Sequence, residues 1–197
     1  MLRNTLRPDL VNTSVGRSKF LGTCRKVFFM NQKIKGLVHI ALYGALFVVL
    51  DFIANTFNLF VMPQGGRLSL GTIALLLASY HLGWKKGVVV CIVAVILMLV
   101  TGSVNYYGMF SFLFDYLLAY GAYGLSSLFP NYKKLYCGII ITSLIRLAFS
   151  TLSGMVVWQT PFWGSISYNA SYILPTMLMD LIIVPLIYEK LTPLFKK

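Results

Sequence analysis

Negative charge is what this sequence has least of: five Asp and Glu stand against seventeen Lys and Arg in 197 residues. Charge of either sign is scarce, at 11% of residues, where a soluble domain carries about a quarter. Histidine occurs twice. The three cysteines, Cys24, Cys91 and Cys137, lie far apart with no CxxC or Cys/His cluster. That spacing argues against a disulfide framework or zinc site and leaves small buried hydrophobes as the reading. There is no GxxxxGK[ST] loop, so no P-loop nucleotide site is expected in the chain. HExxH and GxSxG are absent too, so an enzyme reading has no residues to rest on, and no metal or cofactor is expected.

Hydrophobicity is what the chain has in abundance: 58% of residues, with a mean hydropathy of +0.78. This composition belongs to an integral membrane protein built as one helical bundle. A net charge of +12 does not point to nucleic acid, because the basic residues sit in short connections between apolar runs. A bilayer core needs about 20 apolar residues per helix. That ruler predicts an all-α bundle of six spans near 36–60, 68–83, 87–104, 109–129, 135–158 and 166–189, the second short enough to be tilted, kinked or partly interfacial. Lys33, Lys35, Lys85, Lys86, Lys133, Lys134, Lys190, Lys196 and Lys197 fall on one side and Arg67 alone on the other. The positive-inside rule then places both termini in the cytoplasm. His39 and His81 fall near inner helix ends, where an interfacial or capping role is expected.

Residues 1–29 read differently, as a polar stretch with Arg3, Arg7, Arg17, Lys19, Arg25 and Lys26 against Asp9. They are expected to be a basic, disordered extension or the product of an upstream start, with Met30 opening the membrane domain 30–197.

The outward segments FVMPQGGRL, GSVNYYG and WQTPFWGSISYNASY are rich in aromatics. A plain interfacial belt would account for them, yet a belt should appear at both faces. Trp84, Tyr132 and Tyr136 make a thinner set at the inner face. Four ionisable residues lie within the spans, each costing about 2.5–3.5 kcal/mol at a helix centre unless compensated. Arg146 and Asp180 sit at matching depth on adjacent helices, and a buried ion pair is the expected account of both. Asp51 is expected to reach toward the outer interface. Asp115 in LFDYLLAYG lies about 9 Å in from the outer helix start, with no cation expected at its depth. A shallow carboxylate under Trp158, Trp163, Tyr168 and neighbouring rings suits an organic cation. Asn169 could add a directional donor and acceptor. A structural subunit, with Asp115 paired inside the bundle and no ligand, is the competing reading.

The order and spacing of GGRLSLGTIALLLASYHLGWKKG, FDYLLAYGAYGLSSLF and SYNASYILP after a short basic start resemble the substrate-binding S components of energy-coupling factor (ECF) vitamin transporters, above all the thiamine-specific ones. The resemblance implies a multi-pass plasma-membrane protein that binds thiamine or a related vitamin at its outer face. It implies docking through the first helix onto a transmembrane T component driven by two ATPase subunits. The family's AxxxA docking pattern is matched by Ala41 and Ala45, whose small side chains permit close helix approach. A carboxylate–tyrosine pair is matched by Asp115 and Tyr116, a glycine–tryptophan pair by Gly154 and Trp158, and an asparagine by Asn169. Three positions depart from the pattern. Ser150 stands where a histidine is expected, Gly164 where a tyrosine is expected (with Trp163 and Tyr168 close by), and PQGGRL contains no tryptophan. Those departures leave another vitamin or precursor as an alternative ligand.

Overall fold

A computed structural model describes residues 32–57, 61–62, 66–131 and 136–195. The expectations for residues 1–29, the start at Met30, and Tyr132, Lys133, Lys134, Lys196 and Lys197 fall outside them. Contacts divide the chain into Met1–Leu37 and Val38–Lys197; of the first unit, only the opening turns of α1 are described.

The regular secondary structure among the described residues is helical apart from one isolated bridge between Val61 and Arg67. The helices are α1 (Gln32–Thr56), α2 (Gly71–Leu82), α3 (Trp84–Thr101), α4 (Met109–Ser111), a π-helical segment (Phe112–Leu118), α5 (Ala119–Tyr123), a short 3-10 turn (Ser126–Leu128), α6 (Cys137–Val157) and α7 (Phe162–Phe195). Four stretches among the described residues are long and apolar enough to cross a membrane: Ile34–Thr56, Trp84–Thr101, Cys137–Val157 and Phe162–Thr192. Their outward faces confirm that character. Leu42, Val49, Phe52, Ile96, Leu152, Leu178 and Ile182 are all exposed, which is sensible only where the surroundings are lipid.

The short second run is a helix, and it is buried on every side from Gly71 to Ser79. A helix apolar all round belongs at the centre of a bundle, so this stretch does not face lipid. Gly83 ends it with φ 82 and ψ 163, a conformation glycine alone takes without strain. α3 ends at left-handed Gly102, with Ser103 N–H bonding the Met98 carbonyl, the Schellman arrangement.

α4, the π segment and α5 run on as one rod, since the residues at both junctions keep helical dihedrals. Small residues let helices approach where the rod meets its neighbours. A Cβ on Gly124 would lie 2.6 Å from the Val88 backbone, and one on Gly138 only 2.1 Å from the Ser126 carbonyl. α1 engages through a ring instead: Phe47 covers Gly71 and meets Tyr120 edge-on at 6.2 Å.

α7 begins at Phe162, where hydropathy suggested 166, because the Pro161 carbonyl accepts from Ser165 N–H. Much of the expected outer loop is therefore helix. At the opposite end of the bundle, Tyr80, Tyr136 and Tyr188 pack together with ring centroids 5.1–6.0 Å apart. His81 stacks on Tyr188 at 4.8 Å and pairs with the Tyr43 hydroxyl. His81, half-buried in the last turn of α2, is thus part of an aromatic cluster at this end.

Candidate functional site

Where α6 runs into α7, the π segment, the two helices and Gly66–Arg67 enclose a cavity of about 340 Å³. This lies at the lower end of the about 300–1,000 Å³ typical of small-molecule sites. Asp115, Tyr116, Ser150, Gly154, Trp158, Tyr168 and Asn169 all line it. Trp163 does not. It is 78% exposed and packs on Phe162 at 5.3 Å, because the early start of α7 turns it outward.

Asp115 sits in the π segment. Such wide turns are rare and gather at functional sites. Ser111, one turn before it, donates at 3.0 Å, and Ser153 on α6 donates a short hydrogen bond to the same carboxylate oxygen. Among the described residues no lysine or arginine lies within ion-pair distance of it; the ion pair there is Arg67–Asp51 at 3.5 Å. Neutral hydroxyls thus hold the carboxylate in place without cancelling its charge.

The walls are aromatic. Phe112, Tyr116 and Tyr120 stack along the rod, with centroids 6.1 and 6.4 Å apart. The Tyr116 hydroxyl is fixed by accepting from Asn105 N–H at 2.9 Å. Trp158, 40% exposed at the rim, meets Tyr107 at 4.7 Å, and Tyr168 accepts from Gly66 N–H at 3.1 Å. Asn169 is buried. Its amide donates to the Ser165 and Ser150 carbonyls, and its oxygen accepts from Tyr172 at 2.6 Å. It therefore ties α7 to α6 more than it reaches into the cavity. Gly154 has a steric reason: a Cβ there would lie 2.3 Å from Ser165 Oγ.

Two expectations about buried charge are overturned. Arg146 and Asp180 do not pair. Asp180, fully buried, accepts from Thr72 at 3.1 Å, while Arg146 lines the cavity with its guanidinium 4.7 Å above the Tyr120 ring. Asp51 does not reach an interface either. It is buried, with Asn55 donating to it at 3.1 Å and Arg67 as its ion-pair partner. Arg67 also donates to the Ser103 carbonyl at 3.0 Å and lines the cavity.

The sequence reading missed Arg146, Tyr120, Tyr172, Ser111 and Ser153 as parts of this site. A signal was available: residues 146, 150, 154 and 158 recur every four positions, which puts them on one face of α6. Among the described residues no group of three His, Cys, Asp or Glu could hold a metal ion.

A sequence model of the family described as Thiamine transporter protein (Thia_YuaJ) matches residues 37–196. The chain belongs to the thiamine transporter protein family. It is 28% identical over 190 residues to the thiamine transporter ThiT of Bacillus subtilis (strain 168), spanning 85% of this chain and 98% of that one. Its fold resembles ThiT from Listeria monocytogenes, with a TM-score of 0.70 and 21% identity over 84% of this chain and 99% of that one. It also resembles the S component of a bacterial ECF transporter, with a TM-score of 0.62 and 22% identity over 84% of this chain and all of that one. The chain is thus an all-helical, multi-pass membrane protein of a transporter family with the S-component fold, and not an enzyme.

Proposed function

We propose that the cavity binds thiamine from the outer side of the membrane and that the chain works as the S component of an ECF importer. The observation that carries this reading is Asp115, a carboxylate held by serine hydroxyls and faced by stacked aromatic rings. A thiazolium gains from both, since each ring face adds about 0.5–2 kcal/mol and the carboxylate a full opposite charge. Tyr116, Trp158 and Tyr168 are the proposed contacts, with Ser150, Gly154 and Asn169 shaping the wall. Trp163, outside the cavity, is left out of the contact set.

In this reading the four long helices, α2 and the rod from α4 to α5 make six crossings, with both termini inside and the cavity opening outward. Ala41 and Ala45 lie on the exposed face of α1, as small residues meant for close helix contact would. They are the proposed docking points for a T component driven by two ATPase subunits.

The test is a thiamine titration followed by tryptophan fluorescence. Saturable quenching should persist in Trp163→Phe and disappear in Trp158→Phe. Asp115→Asn should weaken binding at least about tenfold, as expected for a lost charge-assisted contact. A flat trace from folded wild-type protein would remove thiamine as the ligand.

A further inference from the structure

The cavity holds a second buried charge that the cation-binding account leaves unused. Arg146 is only 5% exposed, yet its Nε has no hydrogen-bond partner among the described residues. Its other two nitrogens reach neutral phenols at long range, Nη1 to Tyr123 at 3.3 Å and Nη2 to Tyr120 at 3.5 Å. Asp180, the expected counter-ion, is engaged by Thr72. The Tyr120 and Tyr123 rings, 4.7 and 5.7 Å from the guanidinium carbon, hold the cation in place. They do not satisfy its directional donors, and a guanidinium has five of these and no acceptor. A buried charge left this way is costly.

Position matters as much as pairing. Arg146 lies seven residues before Ser153 on α6, about 10 Å along the axis, whereas Asp115 is held at Ser153. The cavity is therefore bipolar along its length, with a carboxylate toward the Trp158 rim and a guanidinium at the inner end.

We propose that Arg146, braced by Tyr120, is a ligand-binding residue. It forms an acceptor subsite that takes a ring nitrogen or oxygen at the end of the ligand opposite the group on Asp115. The inference rests on the thiamine reading, and thiamine offers such an acceptor at either end, in its pyrimidine nitrogens or its hydroxyethyl oxygen. The subsite selects molecules carrying a donor or cation and an acceptor at opposite ends. An organic cation without the acceptor leaves the guanidinium unsatisfied and binds weakly.

The experiment compares thiamine with two analogues, one carrying CH in place of the pyrimidine ring nitrogens and one lacking the hydroxyethyl group. Each is titrated into wild-type protein and Arg146→Met. The expected result is that wild type loses about tenfold to a hundredfold in affinity for one analogue, and that Arg146→Met binds thiamine and that analogue alike. Which analogue loses affinity identifies the acceptor. If Arg146→Met does not fold, Arg146→Lys keeps a cation beside Tyr120, and the gap should narrow there too. The subsite is overturned if wild type binds all three ligands equally, or if the gap survives undiminished in the variant. Failure of wild type to bind thiamine at all would instead remove the ligand reading, and the subsite with it.

Discussion

Asp115 and Gly154 are single residues whose roles differ in kind, and different variants expose them. Asp115→Asn keeps shape and hydrogen bonding but removes the charge, so it should lower thiamine affinity while leaving thermal stability in detergent within about 0.5 kcal/mol of wild type. Gly154→Ala keeps charge and alters packing. Its methyl meets Ser165 Oγ at 2.3 Å, so it should destabilise by about 1–3 kcal/mol. Adding Ser165→Gly should recover most of that loss, whereas additive destabilisation in the double variant would show the two positions to be independent. Asp115 was legible in the sequence because a carboxylate inside an apolar run is conspicuous. Arg146 was equally conspicuous but was assigned to the wrong partner. Hydropathy gives depth along a helix and says little about the direction a side chain takes around it, so Asp180 at similar depth looked like its counter-ion. Trp163 failed for a related reason: a mixed polar and aromatic segment reads as loop unless Pro161 is seen to open a helix there.

Helices were easier to read than their neighbours. Each apolar run corresponds to a helical element, because runs of Leu, Val, Ile and Phe identify membrane segments almost by length alone. The π segment could not be foreseen, since nothing in FLFDYLL separates a π turn from an α turn. Nor did the sequence show that α2 sits at the centre, because a short apolar stretch looks the same at an interface as in a core. Packing between elements gives a graded test at glycines. Gly124→Ala places a methyl 2.6 Å from Val88 backbone atoms, which cannot step aside, whereas Gly44→Ala meets only the flexible Leu97 and Val93 side chains at 3.5 Å. Thermal unfolding should fall clearly for Gly124→Ala and stay near wild type for Gly44→Ala. Equal effects would mean that α3 and the end of the rod are not as close as described.

For the whole molecule, binding and docking should separate. Ala41→Trp and Ala45→Trp enlarge an exposed face of α1 away from the cavity. Uptake by cells carrying the ECF module should be abolished in either variant, while thiamine affinity of the purified protein stays unchanged. Loss of affinity in either would place α1 in the binding site. Arg67 is one described link between α1 and the cavity, since it pairs with Asp51 on α1 and lines the cavity wall. Arg67→Met strands Asp51 in a buried setting, and breaking a buried pair costs about 3–5 kcal/mol. Its stability should therefore fall further than that of Asp51→Asn combined with Arg67→Met.

The four-residue recurrence along α6 makes that helix a ruler. Arg146, Ser150, Gly154 and Trp158 mark it at intervals of about 6 Å, and the marks are fixed by covalent spacing, not by loops that could stretch. In the proposed binding mode a ligand one ring longer or shorter is not accommodated by sliding, because the next mark is a full turn away. Selectivity for length then belongs to the backbone, and the side chains at each mark choose only the chemistry read there. One alanine inserted between Ser150 and Gly154 would rotate half of the scale by about 100°, leaving every side chain present and the measurement lost.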